Sequence, residues 1–246
     1  MKRFFKAALR RDKKAAQMRA AWEKTNPPRA LVEYSAAGDL AKVDALLVAG
    51  VDPNAEVMID ITVDTVMETP LCAAASAGHV DIARRLIAAG AQVDKPSDDG
   101  FTPLLNAATN GWPDMVKCLH EAGANLNARE DIFNHTPLHK ATRLARMETV
   151  KTLMALGADQ TLRDAEGKTA EETICDQCGK GAPEKAEIKI EIQKIFADDR
   201  AARAAAEKTH QDAAAAYVRA LDQAGELQRD LPLVRPAQVR PRRRKP

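Results

Sequence analysis

Residues 68–90, ETPLCAAASAGHVDIARRLIAAG, decide how this chain folds, because they recur. A Thr-Pro-Leu opening stands at Thr69-Pro70-Leu71, Thr102-Pro103-Leu104 and Thr136-Pro137-Leu138, with a weaker copy at Thr169-Ala170. The steps between those threonines are 33, 34 and 33 residues. A glycine follows each of the first three openings by 21 residues, at Gly90, Gly123 and Gly157. Counting back 21 from Gly50 makes Arg29-Ala30-Leu31 the start of a degenerate first copy. A fixed period of this size is the signature of stacked, self-similar units.

Each copy carries the signals of two helices. Proline sits where a first helical turn tolerates it, and the threonine before it can cap the helix with its hydroxyl. Small residues follow, at Ala73-Ala74-Ala75, Asn106-Ala107-Ala108 and Lys140-Ala141-Thr142, so that neighbouring first helices can approach closely. Gly38, Gly78 and Gly111 then supply a left-handed turn, where repeat four has Ala145 and a strained turn is expected. The second helices carry the bulk: Val80, Ile82, Leu86 and Ile87, then Met115, Val116 and Leu119, then Val150, Leu153, Met154 and Leu156. One helix pair cannot bury such a stripe alone, so stability must come from stacking.

The period and the Thr-Pro-Leu-His box, intact at Thr136-Pro137-Leu138-His139, resemble the ankyrin repeat. The resemblance covers about residues 29–197 and implies an all-α solenoid of four repeats plus a degenerate terminal one, with short β-hairpin fingers and flanking helices. It further implies a non-catalytic scaffold or adaptor that binds a protein partner on a concave surface of fingers and first helices. His139 and His79 then take the role of hydrogen-bonding a neighbouring repeat.

Composition sets the flanks and the charge. Aromatic residues are only 4% of the chain and hydrophobic ones 45%, which suits a core of Ala, Leu, Val and Ile. Residues 1–28 hold nine Lys/Arg and two Asp/Glu; residues 29–196 hold 17 and 26; residues 197–246 hold 11 and seven. An acidic body predicts a partner with a basic surface and little affinity for nucleic acid. Phe4, Phe5, Ala8, Leu9, Ala15, Met18 and Trp22 predict a basic amphipathic helix over 1–25, ended by Asn26-Pro27-Pro28. Its readings are a cap on the first repeat or a contact with an anionic membrane. At the other end, Ile188, Ile192, Ile195 and Phe196 predict a closing helix, residues 198–230 an Ala-rich charged helix, and 231–246 a disordered Pro/Arg tail.

Two fingers depart from the pattern. From Gly50 to Thr69 is 19 residues, against 12 from Gly90 to Thr102. The surplus lies in AEVMIDITVDTVM, whose alternation of Val57, Ile59, Ile61 and Val63 predicts a long β-hairpin. The third finger is one residue longer than its counterpart and puts Ile132 and Phe133 at its tip. The candidate partner-contacting residues are Ile59, Ile61 and Val66 on the first finger, Asp98 and Phe101 on the second, Asn110 and Trp112 ending a first helix, Ile132 and Phe133 on the third finger, and Arg143. Phe101, Trp112 and Phe133 have two readings, one aromatic patch across adjacent repeats or three rings each folded over a neighbouring hairpin.

Nothing in the chain spells out chemistry. Cys175-Asp176-Gln177-Cys178 lacks two further ligands at useful spacing for zinc, and falls where other copies have a small residue and the turn glycine. No phosphate loop or nucleophile–base spacing is present, so no enzyme, metal or cofactor is expected. Four cysteines without a disulfide framework, and no apolar run behind the charged first residues, argue for a cytoplasmic, reducing setting. The competing reading is a membrane-associated or secreted effector in which the basic termini carry localisation, the Arg-rich tail loosely resembling type IV secretion signals, and the repeats serve as spacer or host-protein binder.

Overall fold

The computed structural model describes residues 26–61, 64–97, 100–174 and 184–229, with only the backbone described at 59–61, 64–66, 184–186 and 220–229. The helix expected over 1–25, the tail from 231, Asp98 and the Cys175/Cys178 pair lie outside them. Four helix pairs follow one another: α1 Pro27–Ala37 with α2 Leu40–Val48, α3 Pro70–Ala77 with α4 Val80–Ala88, α5 Pro103–Asn110 with α6 Pro113–Glu121, and α7 Pro137–Arg143 with α8 Met147–Ala155. The first helices pack α1 on α3 on α5 on α7 as an inner row, and α2, α4, α6 and α8 stack as an outer row.

The local signals explain these boundaries. Thr69, Thr102 and Thr136 each accept a backbone N–H three residues on, from Cys72, Leu105 and His139, with proline in the first turn. Gly38, Gly78 and Gly111 end the inner helices at φ of 81°, 81° and 84°. Ala145 is forced into the same left-handed region at 55°, as expected for a copy without the glycine. Between the pairs, one buried cluster runs from Ala30 to Phe196 and takes in Leu31, Leu71, Leu104 and Leu138 together with Val43, Leu86, Leu119 and Leu153. Burying each such side chain contributes about 2 kcal/mol.

Polar bonds fix how one repeat sits on the next. The residue after each turn reaches back to a carbonyl at the end of the preceding inner helix: His79 Nε2 to Ala36 O at 3.2 Å, Trp112 Nε1 to Ser76 O at 3.0 Å, Arg146 Nε to Thr109 O at 3.1 Å. These carbonyls are among the last four of a helix, which have no partner within it. Each strap lies so close over the preceding turn that a Cβ on Gly78 would stand 2.7 Å from the Trp112 ring. On the finger side, Asn54 Oδ1 accepts from Gln92 N at 2.7 Å, Asp94 from Asn125 N at 3.1 Å, and Asn127 Oδ1 from Asp159 N at 2.9 Å.

The long first finger is the expected hairpin, β1 Val57–Ile61 paired antiparallel with β2 Asp64–Glu68. The fifth copy differs from the others. Thr169 bridges back to Arg163, and residues 170–174 form turns instead of an inner helix. The array is closed by α9, Glu184–Arg229, which buries Ile192 and Phe196 completely. From Ala197 onward α9 belongs to a separate unit, and almost every side chain described there is exposed.

Two outcomes follow from this packing. Ala145→Gly should raise stability by about 0.5–1 kcal/mol, because relief of the left-handed strain exceeds the added unfolded-state entropy; an unchanged or lower urea midpoint would contradict it. Trp112→Ala should lower stability by about 2 kcal/mol, whereas Trp112→Phe, which keeps a ring and loses the N–H, should cost about 1 kcal/mol. Equal melting of Trp112→Ala and the parent would remove the strap role.

Candidate partner-binding surface

The predicted contact residues fall into three groups. Ile59, Ile61 and Val66 lie in the first hairpin, where the backbone register pairs Ile59 with Val66 and Ile61 with Asp64. Asn110 and Trp112 meet at the far end of α5. Asn110 Nδ2 donates to Ser76 Oγ at 3.3 Å while the Trp112 indole takes the Ser76 carbonyl. Trp112 is therefore parted from Phe101 by the whole of α5, and a single patch of three aromatics does not form. It is 42% exposed because its ring lies along the turn as a strap.

Phe101, Ile132, Phe133 and Arg143 do come together, around a residue that is not among the predicted contacts. Glu130 is only 1% exposed. Its carboxylate accepts the N–H groups of Ile132 (2.8 Å) and Phe133 (3.1 Å), and His135 Nδ1 lies 2.9 Å away. Lys140 Nζ stands 3.5 Å from the same carboxylate and 4.6 Å above the Phe101 ring. The loop closes through Glu130 N to His135 O at 3.2 Å, and Phe133 O accepts Ala165 N of the next finger at 2.9 Å. Asp131 lies against Gly100 of the preceding finger, which has φ +73° and no room for a Cβ. The tip is thus held from both sides, yet Ile132 and Phe133 remain 64% and 48% exposed.

The protonation states follow from the partners. A carboxylate only accepts and a guanidinium only donates. His135 therefore carries its hydrogen on Nδ1 toward Glu130, while Arg143 Nη1 stands 2.5 Å from its Nε2 and 3.5 Å from its Nδ1, against the face of the ring. His139 is the opposite tautomer, with Nε2 donating to Lys168 O at 3.1 Å and Nδ1 against Thr136 at 2.8 Å. Burial lowers the pKa of both rings, and for His135 the neighbouring Arg143 and Lys140 cations lower it further, outweighing Glu130. Burial by itself would raise the Glu130 carboxyl, but the Ile132 and Phe133 amides and Lys140 outweigh it and hold it low.

The sequence signal for this node is faint: a glutamate two and three residues before the tip amides, in a finger one residue longer than its counterpart. Cys72, on α3, is buried against the second finger, and burial pushes its thiol up to about 11, so it stays protonated at neutral pH. Among the described residues no cluster of His, Cys, Asp and Glu is arranged to hold a metal ion. No helix among them is long and apolar enough to cross a membrane.

The node makes stability depend on pH. Depressed folded values mean that the unfolded chain binds more protons, so stability present above pH 6.5 is lost as pH falls, first through the histidines and then through Glu130 below 4.5. Urea midpoints should fall between pH 7.5 and 4, with the Glu68 carboxyl, raised by burial, opposing the trend at the acid end. Glu130→Gln should lower stability by about 3 kcal/mol at pH 7.5, since it removes the counter-charge of the part-buried Lys140 and the carboxylate that holds the loop amides and His135. A flat pH profile would contradict this assignment.

Comparison with known proteins agrees with the geometry. A family profile described as ankyrin repeats (3 copies) matches residues 31–130 and 89–164. The chain is 40% identical over 90 residues to palmitoyltransferase Hip14 of Drosophila melanogaster, which is 37% of this chain and 14% of that protein. It is 36% identical over 102 residues to ankyrin repeat domain-containing protein 37 of Bos taurus, 41% of this chain and 63% of that protein. BRCA1-associated RING domain protein 1 of Caenorhabditis elegans is 39% identical over 89 residues, 36% of this chain and 12% of that protein. The chain therefore spans less than two thirds of each of these relatives, and the likeness is confined to the repeat region. With its period, its capped inner helices and its profile match over more than half the chain, this protein belongs to the ankyrin-repeat family.

Proposed function

We propose that the chain is a non-catalytic scaffold or adaptor that grips a protein partner on its fingers and on the exposed edge of the inner row. The observation that carries this reading is the Ile132–Phe133 tip. A buried carboxylate costs free energy to desolvate, and here it holds two apolar side chains out in solvent on a prearranged backbone. Such prearrangement lowers the ordering cost of association, and apolar anchors are where binding energy concentrates.

Charge supports a partner with a basic surface. Residues 51–69 and 91–101, the first two fingers, contain eight Asp/Glu and one Lys. Attraction of this kind speeds encounter and weakens with salt. A reducing, cytoplasmic setting accords with this reading, since Cys72 and Cys118 are free thiols. The palmitoyltransferase relatives match only through their repeat regions, so their transferase activity lends no support to catalysis here.

Affinity capture from the native cell, run in parallel with the parent chain and an Ile132→Ala/Phe133→Ala double variant, tests the proposal. The double variant should melt with the parent and lose capture of the parent's partner by about 30-fold or more, the loss expected when a hot spot is truncated. Capture should also fall as salt rises. Equal recovery by both proteins would overturn the reading.

A further inference from the structure

α9 runs as one helix to Arg229, and from Ala201 to Arg219 each of its side chains is exposed, Tyr217 and Val218 at 67% and 55% among them. Its charges are not spread evenly around it. Between Asp198 and Arg203 they fall on several sides, and Arg203 Nε lies 2.7 Å from Asp199 Oδ2 one turn back. Beyond that stretch the pattern changes. At about 100° per residue, Lys208, Asp212, Arg219, Asp222, Glu226 and Arg229 all fall within an arc of about 100°.

The opposite side of the helix keeps a period of its own. Alternate steps of four and three from Ala206 land on His210, Ala213, Tyr217, Ala220, Ala224 and Leu227. The positions bordering that line from 209 to 228 carry no charge, and Leu221 is one of them. Thr209 turns its hydroxyl onto its own helix, to Ala205 O at 2.8 Å, and so asks nothing of a neighbour. Glu207, the one charge at the border, accepts from Gln211 Nε2 at 3.5 Å.

A spacing of 3.5 residues belongs to helices lying along one another. A helix that only spans solvent has no cause to gather its charges on one side, since every side meets the same water. We propose that the apolar side of α9 over residues 206–227 is the interface with α9 of a second copy of this chain, so that the protein pairs through this helix. When a helix meets its own copy, a charge bordering the contact risks meeting its own sign, and from 209 to 228 none stands there. Alanine at 206, 213, 220 and 224 lets two such helices approach closely, while Tyr217 and Leu227 supply the larger apolar groups. An uncharged border offers no attraction to a basic segment such as residues 1–25. Paired copies carry two sets of fingers, so a partner with two matching segments gains avidity. That consequence rests on the fingers being the partner surface; the pairing does not.

The test needs no partner. Sedimentation equilibrium of the full chain at about 100 μM should give twice the mass of one chain and fall toward the single mass on dilution. Ala213→Glu sets a carboxylate on the apolar line and should weaken pairing by about tenfold or more. Ala215→Glu makes the same change two residues on, within the charged arc, and should pair like the parent. Both substitutions exact the same cost in helix propensity, so the difference between them reads the interface. A single-chain mass for the parent at every concentration would overturn the proposal. So would an equal response to the two substitutions, which places the contact elsewhere in the chain. The mass is read on the unsubstituted protein, so a variant that fails to fold does not remove the test. Failure of partner capture leaves this result intact, and failure here leaves the capture result intact.

Discussion

The apolar stripe of each outer helix is wider than its own inner helix can cover, and the remainder of the structure answers that constraint. Leu86 and Leu119 are buried with a repeat on each side, and Leu153 with a repeat on one side and the closing helix in the same cluster. Small residues on the inner row, such as Ala74 and Ala107, let the first helices approach, so the interior runs on without interruption from Ala30 to Phe196. The closing end needs a different element, and α9 supplies it by burying Ile192 and Phe196. Stability of this kind is a sum of neighbour terms, which is why a fifth copy with turns at 170–174 can still be accommodated.

Apolar stacking is indifferent to small slips in register, whereas hydrogen bonds are not. Two sets of polar contacts hold the repeats in place, at opposite ends of the helix pairs. The straps His79, Trp112 and Arg146 take otherwise unpaired helix-end carbonyls. The side chains Asn54, Asp94 and Asn127 take amides of the following finger. The finger tips remain outside both sets. They are free to vary in length and chemistry without loosening the stack, and finger three has used that freedom to build a charged node beneath an apolar tip.

That node shows how one buried carboxylate can organise several elements. Glu130 shapes its own loop, orients His135 and attracts Lys140, which in turn covers Phe101. His135 extends the connection to Arg143, and Phe133 to Ala165 in the next finger. A network of this density in a water-poor setting is stable only when every member is satisfied. Its response to protons follows from the same requirement.

What the sequence determined by itself is periodic and local. The capping threonines, the strained turn at Ala145 and the alternation that makes β1–β2 are written in residues a few positions apart, because helix ends and turns are governed by the backbone within one turn, and their return at steps of 33 or 34 residues announces the stack. What only the tertiary structure decided is which side chains the stack leaves open. Trp112 and Phe101 look alike as lone aromatics beside an inner helix, yet α5 parts them, and one became a strap. Glu130 and His135 look like ordinary loop residues, yet the chain brings Lys140, Arg143 and Asp164 around them from two further elements. Burial of a polar group depends on neighbours one repeat away, and no local rule contains that information.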